Sequence, residues 1–174
     1  MKNIKYLTGA GLLMLLSSIL LLTYAHISTD VGRVMFSALV LFAGISAYLF
    51  AQANRKNNKA FIYHFIQAAG LVGYGIVSFV FYKEPSSLLI GTMIILGTIG
   101  LIEFMFAIGV VQDKEVDNKR ILYTRLLSGA INTIASFVLL WLFLENVELG
   151  IILSGACLAL GGVSFMILAQ KIKA

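Results

Sequence analysis

SSLLIGTMIILGTIGLIEFMFAIGVV, residues 86–111, carries a single charged side chain, Glu103, in a run that is otherwise apolar or small. A bilayer core roughly 30 Å thick is crossed by about 20 apolar residues of helix rising 1.5 Å each. The segment exceeds that length. Strands of a membrane barrel would instead alternate apolar and polar over about ten residues, and this run is continuous and more than twice as long. It reads as a transmembrane helix.

Working outward, five more windows of this kind lie between short polar interruptions, at 6–25, 31–52, 60–82, 121–144 and 149–169. The longest interruption, 112–120, leaves no room for a soluble domain. Whole-chain composition agrees: the 174 residues are 60% hydrophobic and 12% charged, where a soluble domain has about a quarter charged. Mean hydropathy is +0.96. The fold class expected is an all-α membrane protein with six transmembrane helices in a single domain, 1–174. Lys2 and Lys5 ahead of the first window resemble a signal-peptide leader, but the apolar run is long for a signal core and no A-x-A pattern closes it. The only cysteine, Cys157, falls within the sixth window and has no disulfide partner.

Lysine and arginine in short loops orient a membrane protein, with the excess in the cytoplasm. With the N-terminus inside, only Arg33 and Lys83 of the 13 basic residues fall outside. Both termini are therefore expected in the cytoplasm. The net charge of +5 is accounted for by contact with anionic membrane lipids and calls for no nucleic acid.

The even-numbered windows contain GISAYLFA from Gly44, GLIEFMFA from Gly100 and GVSFMILA from Gly162, while Ser18, Ser78 and Ser136 recur at a similar interval in the odd ones. This spacing predicts a helical hairpin used three times, over about 1–56, 57–115 and 116–174, and a pseudo-threefold arrangement about the membrane normal. Small residues at Ala43, Ala47 and Ala51, at Ala69 and Gly73, and at Gly155 and Ala159 are expected at helix contacts, where they let backbones approach.

The three tandem hairpins, the glycine rhythm of GLVGYGIVSFVFYKEPSSLLIGTMIILGTIGLIEFMFAIG (70–109) and the acidic-proline turn at Glu84 and Pro85 resemble the HdeD family of bacterial acid-resistance membrane proteins. The resemblance extends in weaker form over the flanking hairpins. It implies a non-enzymatic inner-membrane protein that supports tolerance of acid or other envelope stress, and it brings no catalytic or binding residues.

Ionisable groups at membrane depth are costly and are functional candidates by default. Glu103 lies about eight or nine residues from one end of its window, roughly 13 Å deep, and shares the packing side of its helix with Gly100 and Ala107. Helical side chains lean toward their own N-terminus, and by that direction Asn132 is the expected partner of Glu103. These two form the candidate intramembrane polar site. His64 and Arg125, four or five residues inside their windows, are expected as cytoplasmic-side anchors that snorkel to the headgroups. Tyr63, Tyr82, Tyr123 and Trp141 lie near window ends, where an aromatic belt is expected.

The pattern contains no P-loop, nucleophile elbow, paired carboxylates or zinc-ligand spacing, so no catalytic residue, metal or cofactor is expected. The alternative function is a small transporter or channel in which Glu103 binds a proton or ion. A third reading buries the Gly and Ala stripes against a second copy or another membrane protein.

Overall fold

The computed structural model describes residues 3–23, 29–56, 58–81, 83–112 and 119–173, and among these every regular element is a helix. Six are formed: α1 Ile4–Leu22, α2 Asp30–Ala53, α3 Asn58–Phe81, α4 Pro85–Gln112, α5 Lys119–Glu145 and α6 Val147–Lys173. Each contains a stretch long and apolar enough to cross a membrane. The chain is thus built as a multi-pass membrane protein is.

Local chemistry sets several of the boundaries. Thr29 caps α2, its hydroxyl accepting from the Gly32 amide at 3.0 Å, and Asp30 follows in the first turn near the positive end of the helix dipole. Pro85 opens α4 at the position where a missing amide hydrogen costs nothing. Asn146 alone separates α5 from α6, and its side-chain oxygen accepts from the Leu149 amide at 3.0 Å. At the same end of the bundle, the Arg33 guanidinium donates to the Asp30 carboxylate and to the Lys83 carbonyl, tying the start of α2 to the turn before α4.

The closest helix pairs are α2 with α3, α1 with α6 and α4 with α5, followed by α1 with α2. Contacts of α3 with α4, α5 with α6 and α4 with α6 are far lighter. Glycine explains the ranking, because without a Cβ two helix backbones can touch. A Cβ on Gly44 would lie 2.7 Å from the Val72 nitrogen, and one on Gly100 would lie 3.0 Å from the Gly129 carbonyl. Gly162 and Gly11 meet reciprocally, with distances of 2.8 Å and 2.7 Å to each other's carbonyl oxygen. No other residue type fits there.

Side-chain hydrogen bonds also cross between helices. Ser46 donates to the Tyr6 carbonyl at 2.7 Å and Ser136 to the Met93 carbonyl at 2.9 Å. The Tyr74 and Thr92 hydroxyls bond to each other across the α3–α4 seam, and Thr92 also donates to the Leu88 carbonyl at 2.9 Å. Phe36, Phe50, Leu88, Leu89, Leu139 and Ile151 are fully enclosed, whereas Phe79, Met105, Phe137, Trp141 and Leu144 point outward. So much exposed apolar surface suits lipid and would aggregate in water.

Candidate functional site

Glu103 sits two turns before the end of α4, and its residue is 3% exposed. Its burial agrees with the helical-wheel expectation that it shares a protein-facing side with Gly100 and Ala107, the latter 1% exposed. The backbone of α5 makes room for it: a Cβ on Gly129 would lie 3.3 Å from the Glu103 Cβ. One turn earlier on α4, Gly100 accommodates the Thr133 hydroxyl of α5 in the same way. Glu103 is therefore wedged where the α4 and α5 backbones approach closely, with α3 on another side.

From α3 comes a partner that sequence reasoning did not assign to it. The Tyr63 hydroxyl donates to Glu103 Oε1. Gln67, one turn further along α3, donates from its amide nitrogen to the Tyr63 oxygen at 2.7 Å, so the three side chains form a short chain of hydrogen bonds. Tyr63 was expected in the aromatic belt; it is partly buried and turned to the carboxylate. The signal was present in the i, i+4 spacing of Tyr63 and Gln67, which places two polar groups on one face of an otherwise apolar helix.

Asn132, the partner inferred from side-chain lean, lies on α5 one turn beyond Ser128. Its amide nitrogen donates to the Ser128 carbonyl at 2.9 Å and to the Ser128 hydroxyl at 3.3 Å, within its own helix. The backbone carbonyl one turn back is always within reach of a short polar side chain and competes for its donor hydrogens.

No family model, curated protein or solved structure matches this chain.

His64, next to Tyr63, is 4% exposed, and its ring meets those of Phe50 and Tyr63 edge-on, with centroids at 4.9 and 5.0 Å. It packs between α2 and α3 as a core aromatic would. Arg125 belongs to α5, but its side chain lies outside the described residues, as does Tyr82. Tyr123 and Trp141 face outward, 66% and 64% exposed, as an aromatic belt needs. Among the described residues no group of three or more His, Cys, Asp or Glu side chains is placed to hold a metal ion.

Chemically, the cluster offers one carboxylate, one phenol and one primary amide. Such a set can hold a proton or a small cation and can clamp α3 to α4. The clamp matters because those two helices otherwise touch lightly, with a groove of about 360 Å³ between them that is lined by Gly70, Gly73, Tyr74, Gly91 and Ile94.

Proposed function

We propose that the chain is a non-enzymatic protein of the HdeD type, residing in the inner membrane with both termini in the cytoplasm and supporting tolerance of acid or envelope stress. Its unit is a helical hairpin used three times, over about 1–56, 57–115 and 116–174, and its partners are membrane lipids and a second copy or another membrane protein.

The observation that carries the repeat is where the three matched glycines sit. Gly44 lies against Leu71 and Val72 of α3, Gly100 against Gly129 of α5, and Gly162 against Gly11 of α1. Residues 11, 71 and 129 each precede one of the recurring serines, Ser18, Ser78 and Ser136, by seven positions. Each hairpin's second helix thus meets the first helix of the next hairpin at an equivalent point, and the third closes on the first. That agreement supports a cyclic bundle of three repeats, the architecture that the resemblance implies. The stress role rests on the resemblance itself.

Deleting the gene and measuring survival at low pH tests the role. Reduced survival that is restored by a plasmid copy is the expected result, and unchanged survival across growth phases would sink the proposal. Single-cysteine labelling from either side of the membrane tests the orientation: positions beside Arg55 should react from the cytoplasm and positions beside Lys83 from outside.

A further inference from the structure

Two grooves flank α3 and share a wall at Ala69. The first, of about 320 Å³, lies against α2 and is lined by Ile45, Tyr48, Phe65, Ala68, Ala69 and Val72. The second, of about 360 Å³, lies against α4, with Gly70, Gly73 and Val77 on one wall and Gly91 and Ile94 on the other. Both open outward, since Ile45, Tyr48, Phe65, Val77 and Ile94 are exposed. Glycine in a helix costs stability, and packing within the chain explains only some of those on α3. A Cβ on Gly75 would lie 2.8 Å from the Leu41 nitrogen of α2, whereas one on Gly70 or Gly73 would meet nothing within 4 Å.

The first groove ends at a polar rim. Gln52 Nε2 donates to the Tyr48 oxygen at 2.8 Å, which leaves the exposed phenol its own hydrogen for an acceptor outside the helix. Tyr48 lies about 8 Å from the end of α2, comparable with the thickness of a headgroup layer. Beyond the rim, Arg55 and Lys56 are exposed in the turn to α3, and neither is paired with an acid among the described residues. No acidic residue occurs from 31 to 83, and α3, starting at Asn58, brings the positive end of its dipole to the same place. The mouth is cationic and the grooves below it are apolar.

We propose that these features seat one anionic diacyl phospholipid astride α3. Its phosphate meets Arg55 and Lys56, an ester carbonyl accepts from the Tyr48 hydroxyl, and one acyl chain runs into each groove. Ala69, Gly70 and Gly73 are the low saddle over which the two chains part. A single helical turn, roughly 10 Å wide and 5.4 Å long, occupies roughly 400 Å³, more than either groove holds, so the grooves suit slim acyl chains better than a helix of a second copy. A lipid without net charge would leave both cations without a counter-charge. The proposal specifies the lipid partner of the proposed function and rests only on the chain spanning a membrane. Lipid binding is read on purified protein and the stress role on cell survival, so either can fail without the other.

The test titrates the full chain in detergent micelles with dioleoyl phosphatidylglycerol, dioleoyl phosphatidylcholine and single-chain oleoyl lysophosphatidylglycerol. Bound lipid is counted by native mass spectrometry and Tm is followed in parallel. Phosphatidylglycerol should bind roughly tenfold or more tightly than phosphatidylcholine, as two basic residues imply, and should raise Tm by about 3 °C or more. That preference should vanish when Arg55→Gln and Lys56→Gln are combined, both being surface changes. Ala69→Leu narrows both grooves and Gly73→Leu the second; each should weaken both diacyl lipids while leaving the lipid-free Tm near that of the wild type, because these positions are exposed. The single-chain lipid should bind more weakly than its diacyl counterpart. Equal binding of the two headgroups, or a preference that survives the double variant, would overturn the headgroup seat. A single-chain lipid that binds as tightly as the diacyl one, or groove variants that bind as the wild type does, would overturn the placement of the chains. A dimer in lipid-free micelles that Gly73→Leu dissociates would give the grooves to a second copy and overturn the lipid.

Discussion

The crossing of α1 and α6 permits a sharp test of what holds the bundle together. In Gly162→Ala the new methyl would begin 2.8 Å from the Gly11 carbonyl oxygen, and the Leu15 nitrogen would lie 3.2 Å away. Ordinary contact begins near 3.4 Å, so one helix must retreat by about 0.6 Å. The obstruction is backbone and cannot rotate aside. Overpacking of this kind costs about 1–3 kcal/mol, and the added loss of close Cα–H contacts across the crossing acts in the same direction. Gly11→Ala faces the same distance problem from the other side, at 2.7 Å from the Gly162 carbonyl. Since one retreat relieves both clashes, the double variant should be less destabilised than the sum of the two single ones.

The internal control is on α3, where a Cβ on Gly70 or Gly73 would meet nothing within 4 Å. There alanine should be neutral, or stabilising by about 0.5–1 kcal/mol through helix propensity alone. Reversible unfolding in mixed detergent micelles, followed by circular dichroism, measures all five proteins on one scale. If Gly70→Ala costs as much as Gly162→Ala, or if the two α1–α6 variants are silent, helix proximity is not what stabilises this bundle.

Three further outcomes are expected in the same assay. Tyr63→Phe removes the hydroxyl that α3 donates to Glu103 and should destabilise by about 1–3 kcal/mol; a silent substitution would show that the α3–α4 clamp is not used. Asn132→Leu should cost much less than Tyr63→Phe, because the Asn132 amide nitrogen donates to Ser128 of its own helix, and an equal cost would favour the partnership with Glu103. Ser136→Ala removes the bond to the Met93 carbonyl between α5 and α4 and should cost about 0.6–2 kcal/mol, whereas Ser164→Ala, whose hydroxyl bonds within α6 on an exposed face, should not be measurable.

Burial and register around Glu103 separate what could be read in the residues from what could not. The helix carrying it, its depth and its buried face all follow from one periodic apolar segment, since 100° per residue puts Gly100, Glu103 and Ala107 together regardless of the rest of the chain. Its partner did not follow. Side-chain lean pointed to Asn132 and the aromatic belt claimed Tyr63, and choosing between them required knowing which helices stand beside α4. His64 illustrates the same limit: its place near a helix end suggested the headgroups, whereas in the fold it is enclosed against the rings of Phe50 on α2 and Tyr63.

Six apolar stretches and their lengths were determined by sequence alone, because a bilayer demands a minimum helix length and forbids unpaired backbone, whatever the neighbours. The glycines that open the three matched octapeptides could also be found there, as candidates for close approach. Which helix each glycine approaches was decided in three dimensions: α2 on α3, α4 on α5 and α6 back on α1, the last pair 151 positions apart at Gly11 and Gly162. Lipid supplies no hydrophobic force that would favour one such pairing over another. The choice falls to shape, to the backbone contact that a missing Cβ permits, and to the few hydroxyls and one carboxylate that find partners across the seams.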